Sequence, residues 1–253
     1  MKRKLTLKVL LLALACAVMA GPALAEDLRK AEDVIEDFIE ATGGRAAYEK
    51  HHSLKLTGTF AMPAMGLTAP MTSYQEAPDK GYTLIESQAF GTIESGSDGA
   101  VQWEKTMMTG AKVKDGEEKA VADRQGAFNM MLRWQDFYQS AVTEAREDVD
   151  GRPCWKLVMT PNVGEPETSW FDVETKLMVK SSLALTGDMG RVTMDVFPSD
   201  YREVDGVLVS FVARQVLMGL QEMTITTETL EFNVEIPEGT FDLPEDVKAL
   251  VKK

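Results

Sequence analysis

The chain has 253 residues, of which 26% are charged, and its formal net charge is −13. This acidic balance argues against a nucleic-acid partner, because nucleic-acid binding depends on neutralising phosphates with Lys and Arg. It argues equally against adsorption to anionic lipid headgroups, but it leaves open the binding of acyl chains inside an apolar cavity.

Residues 1–25 have the pattern of a secretory signal peptide. A basic start (residues 2–8) precedes the apolar run VLLLALACAVMAG, and Ala23 and Ala25 form the small-x-small pattern of a cleavage site. The apolar run is too short for a good membrane span. We therefore expect cleavage after Ala25 and export of residues 26–253, as a single domain, to the periplasm.

Two cysteines are present, Cys16 and Cys154. Cys16 raises the alternative of a lipidated protein, but ALAC lacks the large aliphatic residue expected three places before a lipidated Cys. Cleavage would leave Cys154 alone, so no disulfide could form within the chain. The strand-like setting PCWKLVM predicts that Cys154 is a buried, inert thiol.

The first element of the exported chain is predicted to be a helix. Residues 27–41 place apolar side chains on one face and charges on the other, and Gly43-Gly44 is a typical helix end. A short helical turn is expected in RAAYEK. His51 and His52 follow, and adjacent strand residues point to opposite faces, so we predict a solvated pair and no metal site.

From Ser53 the apolar period becomes two, which predicts about eleven strands. The tripeptide VDG occurs at 149–151 and 204–206, and Asp-Gly favours tight hairpins between antiparallel strands. A long antiparallel sheet must curl, split or be covered. The expected fold class is therefore mainly β with a few helices: a strongly curved antiparallel sheet, an incomplete barrel, covered on its concave side by helices.

One long helix is predicted to interrupt the strands at residues 117–139. It is apolar on two sides, whereas a surface helix needs only one apolar stripe. The second stripe needs a partner, which could be other covering elements, the concave sheet or a ligand. The stripes are Val121, Phe128, Met131, Leu132 and Tyr138, and Ala127, Met130, Trp134 and Phe137. The ending PEDVKALVKK predicts a short last helix.

Methionine is abundant, with 15 residues in the chain. Ordinary core filling is one interpretation, and a cavity that accepts variable acyl chains is the other. For such a cavity we assign to the covering helix Phe128, Met131, Leu132, Trp134, Phe137 and Tyr138. We assign to the concave face Leu56, Phe60, Trp103, Trp155, Trp170 and Phe211, knowing that a one-residue change of register inverts each strand assignment.

No catalytic or cofactor motif is present in the sequence: HExxH, CxxC, GxSxG, P-loop and GxGxxG are all absent. The Asp-rich turns lack the spacing of a calcium loop. Carboxylates are so numerous that pairs arise by chance, which leaves a carboxylate hydrolase as an alternative. We therefore predict no enzyme, no cofactor and no metal.

Several segments together resemble a known family. They are the helix ending in TGG, the strand SLKLTGTF, the run VDGRPCWKLVMTP, WFDVETKLMVKS at 170–181, and NVEIPEGTFDLP with Asn233, Phe241 and Pro244. Their order resembles the outer-membrane lipoprotein-sorting proteins, the LolA-like superfamily of periplasmic carriers.

The resemblance implies a monomeric carrier that binds acyl chains of lipoproteins or lipids between sheet and lid. It would shuttle them toward the outer membrane, with an inner-membrane transporter and an outer-membrane acceptor as possible partners. Related members carry glycolipids or sense envelope stress, so a lipid- or protein-sensing regulatory module is an alternative. The resemblance also implies a basic residue that holds the lid closed, and no position in the sequence identifies it.

Overall fold

The computed structural model describes residues 28–89, 91–187 and 190–252. The proposed signal peptide lies outside these residues. Within the described part of the chain, no helix is long and apolar enough to span a bilayer. The helices are α1 (Ala31–Ala41), α2 (Arg45–Tyr48), α3 (Gly116–Gly126) and α4 (Glu245–Val251), with 3₁₀ helices at Pro63–Met65 and Met130–Asp136.

The strands form one antiparallel sheet of 13, where about eleven were predicted. They are β1 (Ser53–Met62), β2 (Leu67–Glu76), β3 (Lys80–Ser87), β4 (Gly91–Asp98), β5 (Gln102–Thr106), β6 (Gly110–Val113), β7 (Tyr138–Val149), β8 (Arg152–Pro161), β9 (Glu167–Asp172), β10 (Met178–Gly187), β11 (Gly190–Val204), β12 (Val207–Leu217) and β13 (Gln221–Phe232). The mainly β fold class, a strongly curved and unclosed sheet with covering helices, is confirmed.

The strand order is β6-β5-β4-β3-β2-β1-β13-β12-β11-β10-β9-β8-β7. Each strand therefore pairs with its neighbour in sequence, except that the first and last strands pair in the middle of the sheet. The sheet ends at β6 on one side and β7 on the other. Residues 114–137, which we call the bridge, connect these two edges and contain α3 and the 3₁₀ helix Met130–Asp136.

The amphipathic first helix is confirmed. Val34, Ile35 and Ile39 are buried, and α1 packs with the 3₁₀ helix of the bridge on the side chains of Trp155, Leu157 and Phe171. The helix ends where predicted, because Gly43 and Gly44 have positive φ angles. The short α2 and the last helix α4 are also found where the sequence predicts them.

The VDG turns are tight hairpins, as predicted. Asp150-Gly151 joins β7 to β8 and Asp205-Gly206 joins β11 to β12, and all four residues have positive φ. Two consecutive positive φ angles give a turn whose twist matches that of the flanking strands. The second hairpin also contacts α1, since Leu208 N donates to Thr42 O over 2.9 Å.

The prediction of one helix at 117–139 is wrong. Helix α3 ends at Gly126, Ala127 is extended, and Asn129 has a left-handed φ of 52°. Gly lowers helix stability and Asn tolerates left-handed backbone, so this pair of residues breaks the helix. Tyr138 belongs to β7, not to a helix.

The prediction of a solvated histidine pair is wrong for His51. Its ring is buried and stacks on Phe232 with centroids 4.0 Å apart. Nε2 lies 3.2 Å from Asp205 O, and Nδ1 lies 3.2 Å from the side-chain amide of Asn233. Asn233 also accepts a hydrogen bond from His52 N. The contacts of His51 and His52 with Asn233 therefore hold the end of β13 against the start of β1.

The two faces of the sheet carry different helices. The inner face, which carries α1 and α3, includes Gln102, whose amide donates to Asp123 of α3 over 3.0 Å. The outer face includes Lys105, which pairs with Asp246 of α4 at 2.7 Å. Side chains alternate between these two faces along each strand, and residues paired across neighbouring strands share a face. The strand register therefore assigns every other strand residue to the inner or the outer face.

Candidate functional site

An apolar cavity of about 210 Å³ lies between the bridge and the inner face of β8 to β11. Four methionines reach it from both sides, two from the bridge and two from the sheet. Methionine side chains are flexible and polarizable, so such a lining adapts to irregular partners. The apolar lining residues are Met130, Met131, Met159, Met178, Leu183 and Val196, and the polar ones include Arg124, Gln125, Tyr138 and Glu167.

Local sequence explains how these side chains converge. Met159 shares the inner face of β8 with Trp155 and Leu157, at alternate positions. A bulge between Met178 and Lys180 keeps Met178 on the same face as Phe171, its partner on β9. The left-handed turn before Met130 then directs the 3₁₀ helix back over these strands.

The bridge is held to the sheet by a buried ion pair. Arg124 of α3 is 4% exposed, and its Nη2 lies 2.6 Å from Glu167 Oε1 on β9. Tyr138 donates to the other oxygen of Glu167 over 2.6 Å. Burial, reinforced by the negative charge of Glu167, raises the pKa of Tyr138, so the hydroxyl keeps the proton that it donates.

A second anchor fixes the middle of the bridge to the turn between β2 and β3. Phe128 N and Arg133 Nη2 both donate to Pro78 O over 3.0 Å, and Arg133 also pairs with Asp79. The Asn129 amide donates to Tyr48 O of α2 over 3.1 Å. The bridge is therefore a cover attached at several places, to β9, to the β2–β3 turn, to α2 and to β5, with the methionine cavity beneath it.

The inner face of β2 to β5 is polar under α3. A cavity of about 380 Å³ there has Ser73, Thr83 and Ser95 in directly opposed positions on successive strands. The charged lining groups are paired, Lys114 with Glu104 and Asp79 with Arg133. Gln125 lines both this cavity and the methionine cavity, so α3 separates a polar compartment from an apolar one.

Nearer the turns that join β1 to β2 and β3 to β4, the same strands become apolar. Seven side chains form this apolar stripe, several of them only partly buried: Ala69, Met71, Ile85, Leu56, Phe60, Ile93 and Ile225. The stripe and the methionine cavity are therefore two apolar regions of the inner face.

The sequence-predicted residues are distributed over several of these places. Met131 and Tyr138 line the methionine cavity. Leu132, Trp134, Phe137 and Trp155 pack with α1 instead. Leu56 and Phe60 belong to the apolar stripe. Phe128 is buried beside the β2–β3 turn, and Phe211 is buried with the Arg202 guanidinium 4.5 Å from its ring centre.

Trp103 and Trp170 do not lie on the concave face as predicted. Trp103 alternates with Gln102 and therefore shares the outer face with Lys105, near α4. Trp170 pairs with Lys156 and Lys180 on the outer face, and the Lys180 ammonium lies 4.7 Å from its ring. Both indoles are buried on the outer face, by lysine side chains or beside a helix. The alternation of apolar residues in the sequence does not reveal this burial.

Sequence reasoning missed Arg124, Glu167, Met159 and Met178. In the longer helix that the sequence predicted, Arg124 belongs to neither apolar stripe, so nothing in the sequence indicated that its side chain is buried. Within the described residues, no group of three or more His, Cys, Asp or Glu side chains is arranged to hold a metal ion.

Solved structures share this architecture. A DUF1329 family protein from Desulfovibrio piger aligns with a TM-score of 0.56 and 14% identity, over 84% of this chain and 97% of that one. A putative outer membrane lipoprotein-sorting protein domain from Vibrio parahaemolyticus aligns at 0.56 and 13%, over 88% and 98%. A LolA superfamily protein from Nitrosomonas europaea aligns at 0.57 and 11%, over 85% and 98%.

These likenesses show that the protein has the LolA-like fold, in agreement with the resemblance seen in the sequence. No family model matches the chain, and no curated protein matches it significantly.

Proposed function

We propose that the protein is an exported, periplasmic carrier that shelters acyl chains of lipoproteins or lipids between its sheet and its bridge. The methionine cavity supports this proposal most directly, because it is apolar, adaptable and closed by a segment with a discrete anchor. The fold is shared with a putative lipoprotein-sorting domain, which is consistent with the same use.

The energetics favour such a site. Each buried CH₂ is worth about 0.8 kcal/mol, so an acyl chain crossing water gains strongly from an apolar enclosure. The cavity of about 210 Å³ is smaller than the ~300–1,000 Å³ typical of ligand pockets. A full acyl chain therefore requires the bridge to move, and the Arg124–Glu167 pair, which borders the cavity, is one of the contacts that would have to open.

A cavity-filling experiment tests the proposal. Leu183→Trp and Met131→Trp each occupy space that about two methylenes would use, which predicts a loss of affinity of ~10-fold for a fluorescent fatty acid. Val142→Trp is the matched control, because Val142 is exposed on β7. Native mass spectrometry of protein purified from the periplasm should show bound lipid in the wild type and less in the filled variants.

Thermal unfolding of each variant establishes that it is folded before binding is compared. Wild-type protein that takes up no fatty acid and carries no lipid would overturn the carrier proposal. Equal uptake by wild-type and both filled variants would show that acyl chains bind elsewhere.

A further inference from the structure

Large apolar side chains project into solvent from four turns of the sheet. Met108 and Leu220 are the most exposed, at 88% and 86%. Among the ten large hydrophobic residues that are exposed in the described chain, six belong to these turns. We call them the apolar rim: Met65 between β1 and β2, Met107 and Met108 between β5 and β6, Val163 between β8 and β9, and Met218 and Leu220 between β12 and β13.

All four turns lie at the same edge of the sheet. In an antiparallel meander, alternate turns point the same way, and the pairing of β1 with β13 keeps this alternation across the centre. Single exposed apolar residues are ordinary on protein surfaces. By the strand order, this edge has six turns, and the β1–β2 and β12–β13 turns are adjacent while the other two rim turns are each separated from them by one turn. Six exposed apolar side chains on four of the six turns at one edge are a feature that requires an explanation.

The opposite edge is acidic. Each of its five hairpins carries an aspartate in the turn or directly before it: Asp79, Asp98, Asp150, Asp172 and Asp205. In contrast, three of the four rim turns, at 63–66, 107–109 and 218–220, contain no charged residue, although 26% of the chain is charged. The fourth, between β8 and β9, contains Glu165, which pairs with Arg191 at 2.9 Å. The rim edge therefore carries most of the exposed large apolar side chains, and the opposite edge carries an aspartate at every hairpin.

The rim continues into the interior. Phe60, Ile93 and Ile225 of the apolar stripe lie within a few residues of rim-side turns. Tyr138 and Glu167 begin β7 and β9 at the same edge, and both line the methionine cavity. The apolar stripe therefore reaches the rim edge, whereas the methionine cavity is bordered at that edge by the polar groups of Tyr138 and Glu167.

We propose that the apolar rim docks on the interface of a phospholipid bilayer. Separate tips with one or two flexible side chains each suit insertion between headgroups, whereas a protein partner would favour one contiguous patch. The acidic edge would face away from the membrane, which matches a zwitterionic surface and opposes an anionic one. The inference extends the proposed carrier function but rests on the exposed turns and not on cargo in the cavity.

Vesicle flotation of lipid-free protein with phosphatidylcholine vesicles tests this docking. We expect the wild type to float with the vesicles and the variant Met107→Ser, Met108→Ser, Met218→Ser, Leu220→Ser to partition at least ten-fold less. A double variant, Val142→Ser with Val251→Ser, removes exposed apolar side chains outside the rim and should float like the wild type. Adding phosphatidylglycerol should weaken wild-type flotation.

Several outcomes would overturn the proposal. They are a wild type that does not float, a rim variant that floats as well as the wild type, and a rim variant whose only loss is self-association or a co-purified protein. Fatty-acid uptake by the rim variant separates the two proposals. If the rim variant still takes up fatty acid but no longer floats, the docking proposal is supported independently of the cavity. If the wild type takes up no fatty acid, the carrier proposal is refuted, and the flotation result alone decides the docking proposal.

Discussion

Arg124 shows how a single side chain can hold a cover in place. Its guanidinium bonds Glu167 through two nitrogens and also donates to the carbonyls of Ala120 and Val163. A charge enclosed in this way is stable only while its partners are present, because the desolvation of both charges must be offset. Arg124 is therefore one of two basic residues, with Arg133, that fasten the bridge to the sheet.

Replacing Arg124 should therefore loosen the bridge and the fold together. We expect Arg124→Met to lower the free energy of unfolding by about 3 kcal/mol, because Glu167 loses its counter-charge in a mostly buried setting. Arg191→Met is the matched control, since its pair with Glu165 is exposed on both sides and should contribute little to stability. Urea unfolding measures both, and equal losses would contradict the assignment of Arg124.

Cys154 is buried in β8, as the sequence predicts. Burial, with smaller contributions from Asp172 and Asp148, raises the pKa of its thiol to about 11. The thiolate is the reactive form, so at pH 8 roughly one molecule in a thousand would carry it. Alkylation by iodoacetamide at pH 8 should be slow in native protein, faster as the pH approaches 11, and fast in urea. Equal native and urea rates would contradict this.

Side-chain positions were predictable only where one face of a strand is buried. Leu56 and Phe60 alternate with polar residues, and they lie on the inner face as predicted. Trp103 lies near helix α4, and Trp170 lies under the aliphatic stems of lysines, both on the outer face. Where both faces of a strand are covered, large side chains occur on either side, so the alternation of apolar and polar residues no longer predicts which side chains face inward. His51 is buried by Phe232 and Asn233, which are distant in sequence and give no local signal.

At the scale of elements, the junction between α1 and the β11–β12 hairpin depends on a close backbone approach. Gly43 has a φ of 125°, and a Cβ there would collide with the Gly206 carbonyl oxygen. Only glycine satisfies both the torsion angle and the contact. The helix end is therefore determined by the hairpin as well as by its own sequence.

The corresponding prediction concerns Gly43→Ala. We expect a loss of at least about 3 kcal/mol in unfolding free energy, because left-handed strain and a backbone collision add. Gly66→Ala is the control, since its φ is also positive but nothing lies within 4 Å of the added Cβ. That change should cost about 1 kcal/mol. Similar thermal unfolding of the two variants would show that the contact with Gly206 is unimportant.

The helices differ in how well the sequence predicts them. α1 has charges on one side and apolar residues on the other, and its predicted end at Gly43-Gly44 is correct. The segment at 117–139 was misread because two apolar stripes resemble a buried helix, whereas they belong to a helix, a 3₁₀ helix and a strand with separate partners. Gly126 and Asn129 were the available signals for the break.

For the whole molecule, turn chemistry and period-two alternation were sufficient to predict a curved antiparallel meander. They could not predict that β1 pairs with β13, because that pairing joins segments at opposite ends of the chain. This central pairing divides the sheet into two meanders, β1 to β6 and β7 to β13, whose outer strands are the free edges. The cavity lining followed from this arrangement and not from any local pattern.

The bridge is the covalent link between those two free edges, and its length is partly stored in α3. A residue advances about 1.5 Å in an α-helix and about 3.3 Å in an extended strand. Unwinding one turn of α3 would therefore release about 6 Å of chain, enough to let β6 and β7 separate without breaking the sheet. If the proposed carrier opens by using this slack, it gains interior volume and loses helical structure together, so a fall in helix content on lipid uptake would measure the opening.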